Sequence, residues 1–351
     1  MTVETRTGPI QTALDAAASN ETQLIGSLRA AMEACPFQLN GGFGADSELL
    51  DLGGPELLAV TVDTLQSGEE LDTAPTHYSR GWLAATASLS DLGAVGARPM
   101  ALLISCCFDA AAVTAEQAGD FGRGASEAAR AQGAWMVGGD TNWASEESFT
   151  SVAIGQVPRE RAMTRLGAAA GDLLYVTGPV GGGNAAGVRK LLGEDAPWLP
   201  TARCAAGMAL AEHAHACIDT SDGLVTAALM LSDLNGLGMR IEDAADLYDP
   251  VGLELAERLG LPRWLLAAGE WGEFELLFAV APEAEAGALA ALASAGISPR
   301  RAGRLTAERE FEIVREGGER IDALEIARSL RAVERGGSMV EELAALAARS
   351  R

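Results

Sequence analysis

A mixed α/β fold in two domains is predicted by three features of the sequence. The chain has 351 residues, more than one hydrophobic core usually spans, so two domains of roughly 150 residues each follow. Short β-branched apolar runs alternate with apolar residues at helical spacing through both halves. No low-complexity linker separates the halves, so they are expected to pack tightly against each other.

Residues 1–20 are polar and Ala-rich without a clear period, and read as an extension outside the fold. LLAVTVDTL (57–65) is short, apolar and β-branched, which predicts a buried strand. Trp82, Thr86, Leu89, Leu92 and Val95 follow at near-helical spacing, and Gly96 with Pro99 supplies a stop. ALLISCCF (101–108) is the next strand. Thr114 and Gln117 then form a capping-box pattern that opens a helix, which Gly133 can close. AWMVGGD (134–140) reads as a strand ending in a Gly-Gly turn, and FTSVAIGQV (149–157) as another strand.

The alternation resumes with the strand LLYVTG after the polar turn in 161–172. Helices are predicted at 203–214, 224–235, 282–295 and 322–331, and strands at 239–243, 274–281 and 311–314. From Met339 the chain reads as an amphipathic Ala/Leu helix. The predicted division is an extension at 1–20, an N-terminal domain at 21–160, a C-terminal domain at 161–335 and a helical tail at 336–351.

Composition narrows the function. The chain is 48% hydrophobic, enough for packed cores. Its net charge is −23 and Lys190 is its one lysine, which argues against a nucleic-acid partner, since phosphate backbones need a basic face. The longest apolar runs fall far short of the ~20 residues that span a bilayer, and no signal-peptide pattern opens the sequence, so no membrane association is expected. Cys35, Cys106, Cys107, Cys204 and Cys217 contain no C-x-x-C pair, and the three histidines lack zinc-site spacing, so a reducing cytoplasm is the expected location. There is no G-x-x-x-x-G-K-[ST] loop. The glycine-rich GPVGGGNAAG (178–187) lacks G-x-G-x-x-G spacing and reads as a turn before a helix.

Six aspartates carry the chemical signal: Asp46 in GFGADSELL, Asp63 in TVDTL, Asp91 in SLSDLGAVGA, Asp140 in GGDTN, and Asp219 and Asp222 in IDTSDGL. All but Asp91 are expected where a strand gives way to a turn. Turn-filling and helix-capping account for any one of them alone. Carboxylates drawn from several elements also suit Mg²⁺, which takes few protein ligands and keeps phosphate and water oxygens. If they converge they require a cation, because clustered carboxylates otherwise repel each other.

In order and spacing, GFGADSELL, TVDTL, LAATASLSDLGAVGARP, VGGDTN, TRLGAAAGDLLYVTG and IDTSDGL resemble the thiamine-monophosphate kinase family over roughly residues 40–280. The resemblance implies a two-domain fold like that of aminoimidazole ribonucleotide synthetase, selenophosphate synthetase and a hydrogenase maturation protein, with N-terminal domains paired in a homodimer. It implies ATP and Mg²⁺ as cofactors and a small-molecule phosphate acceptor, with thiamine phosphate the default. Asp46, Thr61, Asp63, Asp91, Asp140, Asp219 and Asp222 match the magnesium-ligand positions, with Val62 beside them. Asp63, Asp91 and Asp222 are the expected catalytic set, and Gly139, Asp140, Arg165 and Ser221 match positions that contact ATP. Phosphoryl transfer needs charge neutralisation and alignment rather than a nucleophilic side chain, so these residue types suffice.

The departures fall on the acceptor side. Glu70 in SGEEL stands where the family has a histidine meeting thiamine phosphate, and Trp143 replaces an arginine after GGDTN. GEWGEFELLF (269–278) alters a Gly-Gly-Glu-Asp-Tyr-Glu signature, keeping Glu275 and an aromatic at Phe274 but moving acids to Glu270 and Glu273. Glu70 and Glu273 are therefore the expected substrate-side residues. Ala45 and Ser88 are milder differences. Two alternatives stay open: a synthetase or cyclase that activates an amide oxygen, and a nucleotide-binding paralogue without catalysis.

Overall fold

The computed structural model describes residues 20–41, 44–67, 70–194, 198–269 and 271–333. The predicted tail at 336–351 and all but the last residue of the predicted extension lie outside them. The first part contains α1 (Asn20–Ala31), β1 (Glu48–Leu50), β2 (Glu56–Gln66), α2 (His77–Ala94), β3 (Arg98–Asp109), α3 (Ala115–Ala131), β4 (Trp135–Ala144) and β5 (Ser148–Pro158). Its sheet has the order β1-β2-β5-β3-β4, antiparallel except for the parallel β3–β4 pair.

The second part contains β6 (Leu173–Val176), α4 (Gly182–Leu191), α5 (Cys204–Leu210), β7 (Ala214–Asp219), α6 (Gly223–Leu234), β8 (Gly238–Asp243), α7 (Pro250–Leu259) and α8 (Leu265–Ala268). It continues with β9 (Leu276–Val280), α9 (Glu285–Ser294), β10 (Arg300–Thr306), β11 (Phe311–Arg315), β12 (Arg320–Asp322) and α10 (Ala323–Val333). Its sheet runs β12-β11-β8-β10-β6-β9-β7, with only β8–β11 parallel among these pairs. The mixed α/β class expected from the alternating pattern is thus the observed one.

Period-two burial shapes the first sheet. Leu57, Ala59, Thr61 and Leu65 of β2 and Leu102, Ile104, Cys106 and Phe108 of β3 face α2 and α3 and are buried. The rings of Phe108, Phe121 and Phe149 close this core, with Phe121 and Phe149 centroids 4.3 Å apart. The opposite face carries Leu58, Val60 and Val62 on β2, Val152 and Ile154 on β5 and Leu103 on β3. Strand register sets these side by side, yet they are only half-buried, and Val62 is 64% exposed.

α2 is the shared element. One side packs on the first sheet, while Ala94 joins Met163, Cys217, Leu276 and Phe278 in a cluster with the second. It also lies hard against α5, where a Cβ on Gly207 would fall 1.9 Å from the Gly93 carbonyl oxygen. Thr76 caps α2 and Thr114 caps α3, each in a reciprocal capping box.

Four sequence expectations are corrected. The helix expected at 203–214 stops at Leu210, and Ala214–Asp219 forms β7 instead, because those residues pair with β9. The strand expected from residue 274 starts at Leu276, since Phe274 sits at φ 56°, outside the strand region. The helix expected from residue 282 starts at Glu285. Gly138 and Gly139 do not turn: β4 runs through them to Ala144, and a Cβ on Gly139 would meet the Ile104 carbonyl oxygen at 1.9 Å. Here glycine permits close strand approach.

The α2–α3 contact depends on two glycines in the same way. A Cβ on Gly81 would lie 2.0 Å from the Phe121 carbonyl oxygen, and one on Gly124 would lie 1.9 Å from that of Tyr78. Both obstacles are backbone, so relief requires the helices to separate. Gly124→Ala should therefore destabilise the protein by about 3 kcal/mol, at the upper end of overpacking costs. A urea-unfolding midpoint equal to wild type would show that the helices do not meet this closely.

Candidate active site

Five of the six aspartates meet where the two sheets come together. Asp46 lies in the segment before β1, Asp63 on β2, Asp91 on α2, Asp219 at the end of β7, and Asp222 at the N-cap of α6. Only Asp219 ends a strand: Asp63 is inside β2 and Asp140 inside β4, correcting the expectation that nearly all sit at strand-to-turn junctions. Carboxylate oxygens of Asp46, Asp91 and Asp219 lie within 4.8 Å of one another. The Asp46 side chain is fully buried, and its Oδ2 has no hydrogen-bond partner.

The shifted acidities follow from this crowding. Burial, then the charge of Asp222, pushes Asp63 up to about 6. Burial, then Asp46, pushes Asp219 up to about 7. Asp91 is raised well above the usual carboxylate range, first by burial and then by Asp219, Asp63 and Asp46, while a hydrogen bond from the Thr61 hydroxyl to its Oδ2 works the other way. Arg165 Nη2 donates to Asp46 Oδ1 at 2.8 Å, and although burial opposes the guanidinium charge, Asp46, Asp219 and Asp91 hold it ionised. Ser221 Oγ donates to Asp219 Oδ1 at 3.1 Å.

Hard oxygens this close, one of them buried without a partner, suit a small divalent cation such as Mg²⁺, whose oxygen ligands sit at about 2.1 Å. Asp46, Asp91 and Asp219 would hold it, with Asp63 and Asp222 at the rim. Thr61 reaches the group through Asp91.

Asp140 stands elsewhere. With Gly139 it lines a cavity of about 460 Å³ between β3, β4 and α3, walled by Ile104, Phe121, Met136 and Trp143. The charges that act most on Asp91 do not include it, whereas it does bear on Cys106. Trp143 is 65% exposed on the same strand.

Glu273 is buried at the start of α4, where its carboxylate accepts from the backbone N–H groups of Gly181 at 2.8 Å and Gly183 at 3.3 Å. Burial raises it to about 8, against the pull of those donors. The glycine-rich turn thus cradles the chain's own anion. Glu275 is tied down by Thr177 Oγ1 at 2.6 Å and by the Arg203 guanidinium. Glu70 starts the 3₁₀ turn Glu70–Thr73, and its side chain and the whole of Glu270 lie outside the described residues.

Asn235 was missed from sequence. At the end of α6 it donates to the carbonyls of Arg165 and Leu231 and accepts from the N–H groups of Gly167 and Ala168. An asparagine before Gly236 signals a helix end. Nothing in the local pattern says which distant loop it holds.

The family model "AIR synthase related protein, N-terminal domain" matches residues 44–157, and "AIR synthase related protein, C-terminal domain" matches residues 169–316. The chain is 33% identical over 244 residues to a thiamine-monophosphate kinase of Halobacterium salinarum, covering 67% of this chain and 80% of the relative. It is 32% identical over 287 residues to that of Escherichia coli, covering 77% and 85%. The crystal structure of thiamine-monophosphate kinase from Stenotrophomonas maltophilia superposes with a TM-score of 0.68 at 26% identity, covering 85% of this chain and 96% of that one.

The buried acids have a pH signature. A carboxyl whose folded-state pKa is raised from 3.8 to about 7 keeps its proton in the folded protein after the unfolded chain has lost it. Its stabilising contribution is full below about pH 4 and is lost as pH rises to about 7. In metal-free protein, wild type should therefore lose stability relative to Asp219→Asn across that window, and added Mg²⁺ should reverse the loss. Parallel unfolding free-energy curves for the two proteins would refute the crowding.

Proposed function

The chain belongs to the AIR synthase related family and, within it, to the thiamine-monophosphate kinases, and from that premise we propose that it moves the γ-phosphate of ATP onto thiamine phosphate, giving ADP and thiamine diphosphate. The observation that carries this reading is the meeting of Asp46, Asp91 and Asp219 within 4.8 Å, drawn from the segment before β1, from α2 and from β7. Asp46, Asp91 and Asp219 would hold a magnesium ion there, which would supply charge neutralisation for the transferring phosphoryl group. Asp63 and Asp222 extend the acidic group, Ser221 orients Asp219, and Thr61 orients Asp91. No covalent intermediate is needed, because phosphoryl transfer is governed by alignment and charge.

Gly139 and Asp140 supply a second, mostly apolar recess, which suits a flat base better than a triphosphate. The Asp140 carboxylate at its mouth is the polar group that would fix orientation. Val60, Val62, Val152, Ile154 and Leu103 leave an apolar sheet face half-open, and a second copy of the chain is its proposed cover, making the protein a homodimer. Among the described residues no helix is long and apolar enough to cross a membrane. A cytoplasmic location fits the five free cysteines.

Incubation with ATP, Mg²⁺ and thiamine phosphate should produce ADP and thiamine diphosphate together. Free phosphate released only with an amide or amine substrate would instead favour the synthetase chemistry. Asp63→Asn and Asp91→Asn should each lower turnover at least about 100-fold, by loss of metal and phosphate charge balance, with unchanged circular dichroism. Wild-type turnover in either variant would remove that residue from the metal set. Ile154→Asp should convert a dimer to a monomer in sedimentation; an unchanged mass would place the interface elsewhere.

A further inference from the structure

Asp46 is the acid with the least local support, since it lies in an irregular segment between Gly44 and β1 and no helix or strand of its own fixes its rotamer. Its two oxygens are used differently. Oδ1 accepts from Arg165 Nη2 at 2.8 Å, while Oδ2 is buried without a hydrogen-bond partner, in a carboxylate grouped with Asp91 and Asp219.

Arg165 is itself held from several sides. Its backbone N–H donates to the Gly44 carbonyl at 2.8 Å, so its loop runs beside the Asp46 segment. Its Nη1 lies 3.2 Å from Met230 Sδ on α6. Asn235, at the end of that helix, uses its whole amide on the same loop and helix. It donates to the Arg165 carbonyl at 2.8 Å and the Leu231 carbonyl at 2.7 Å, and accepts from Gly167 N–H at 2.8 Å and Ala168 N–H at 3.1 Å. The helix whose N-cap is Asp222 therefore anchors, at its other end, the loop that delivers the guanidinium.

We infer that Arg165 is a positioning residue for the cation site: it locks Asp46 through Oδ1 so that Oδ2 is presented to the ion, and Asn235 holds the loop from which Arg165 acts. This rests on the reading of the acid cluster as a divalent-cation site. A positive charge next to a ligand repels an incoming cation, so charge alone predicts that removing Arg165 tightens metal binding. Orientation of a ligand by its hydrogen-bond partner predicts the opposite, a loss of about 10–100-fold. The sign of the effect separates the two.

Nucleotide-free protein is titrated with Mn²⁺ and free ion is followed by electron paramagnetic resonance. Arg165→Met should weaken binding about 10–100-fold and Asp46→Asn by a similar factor, with the double variant no weaker than Asp46→Asn alone. Asn235→Ala, which leaves all site side chains in place, should weaken Mn²⁺ binding by a smaller factor and decides the matter if Arg165→Met does not fold. Unchanged or tighter binding in Arg165→Met, or losses that simply multiply in the double variant, would overturn the inference, as would wild-type protein that binds no Mn²⁺. Thiamine diphosphate formation is assayed separately on wild type. Activity there with unaltered Mn²⁺ binding in Arg165→Met leaves the kinase standing without this role, and weakened binding without activity does the reverse.

Discussion

Three carboxylate oxygens from Asp46, Asp91 and Asp219 lie within 4.8 Å of one another, in a place where burial has already raised the pKa values of Asp91 and Asp219. Ionised together in low dielectric they repel strongly, and protonated they waste three hard oxygen ligands. One guanidinium, that of Arg165, answers only part of this charge through Asp46. Hard oxygens at this spacing suit a divalent cation, and Thr61, Ser221 and Arg165 each hydrogen-bond one of the three acids.

The fold brings these groups together by sharing α2 between two sheets. The helix packs one side on β2, β3 and β5, and turns Ala94 toward β7 and β9. Gly93 and Gly207 let α2 and α5 approach until backbone nearly meets backbone. Packing on this scale tolerates little adjustment, because protein interiors are filled to crystal density.

The segment from Gly269 to Phe278, expected on the acceptor side, is held by the fold's own contacts. Glu273 is consumed by the N-terminus of α4, and Glu275 by Thr177 and Arg203, so neither carboxylate is left to face a substrate unaccompanied. Phe274 between them takes a left-handed backbone conformation that costs a non-glycine residue free energy and is kept by its packing with the first core. Trp143 presents a large ring to solvent on the strand that carries Asp140.

Local pattern was enough for much of the chain. The strands at 57–65, 101–108 and 149–157 and the capping box at Thr114 were legible because period and caps act over a few residues. Gly138 and Gly139 misled because a glycine pair signals a turn by itself, whereas here it serves contact with a neighbouring strand. Residues 211–214 misled because helical spacing there gives way to a turn at 211–213, after which Ala214 starts the strand paired with β9. The identity of the acids was likewise written in the motifs, whereas motif order carries no distances and could not show that Asp140 lines a recess between β3, β4 and α3.

By itself the sequence determined the α/β class, the kinase family motifs and which side chains could carry charge, since these depend on residue type and short-range spacing. Only the tertiary structure decided that five aspartates converge while Asp140 lines a separate recess, that Glu273 caps a helix, and that Asn235 reaches the loop of Arg165. Those outcomes depend on contacts between residues far apart in the chain, and such contacts are fixed by packing of whole sheets and helices rather than by any local preference.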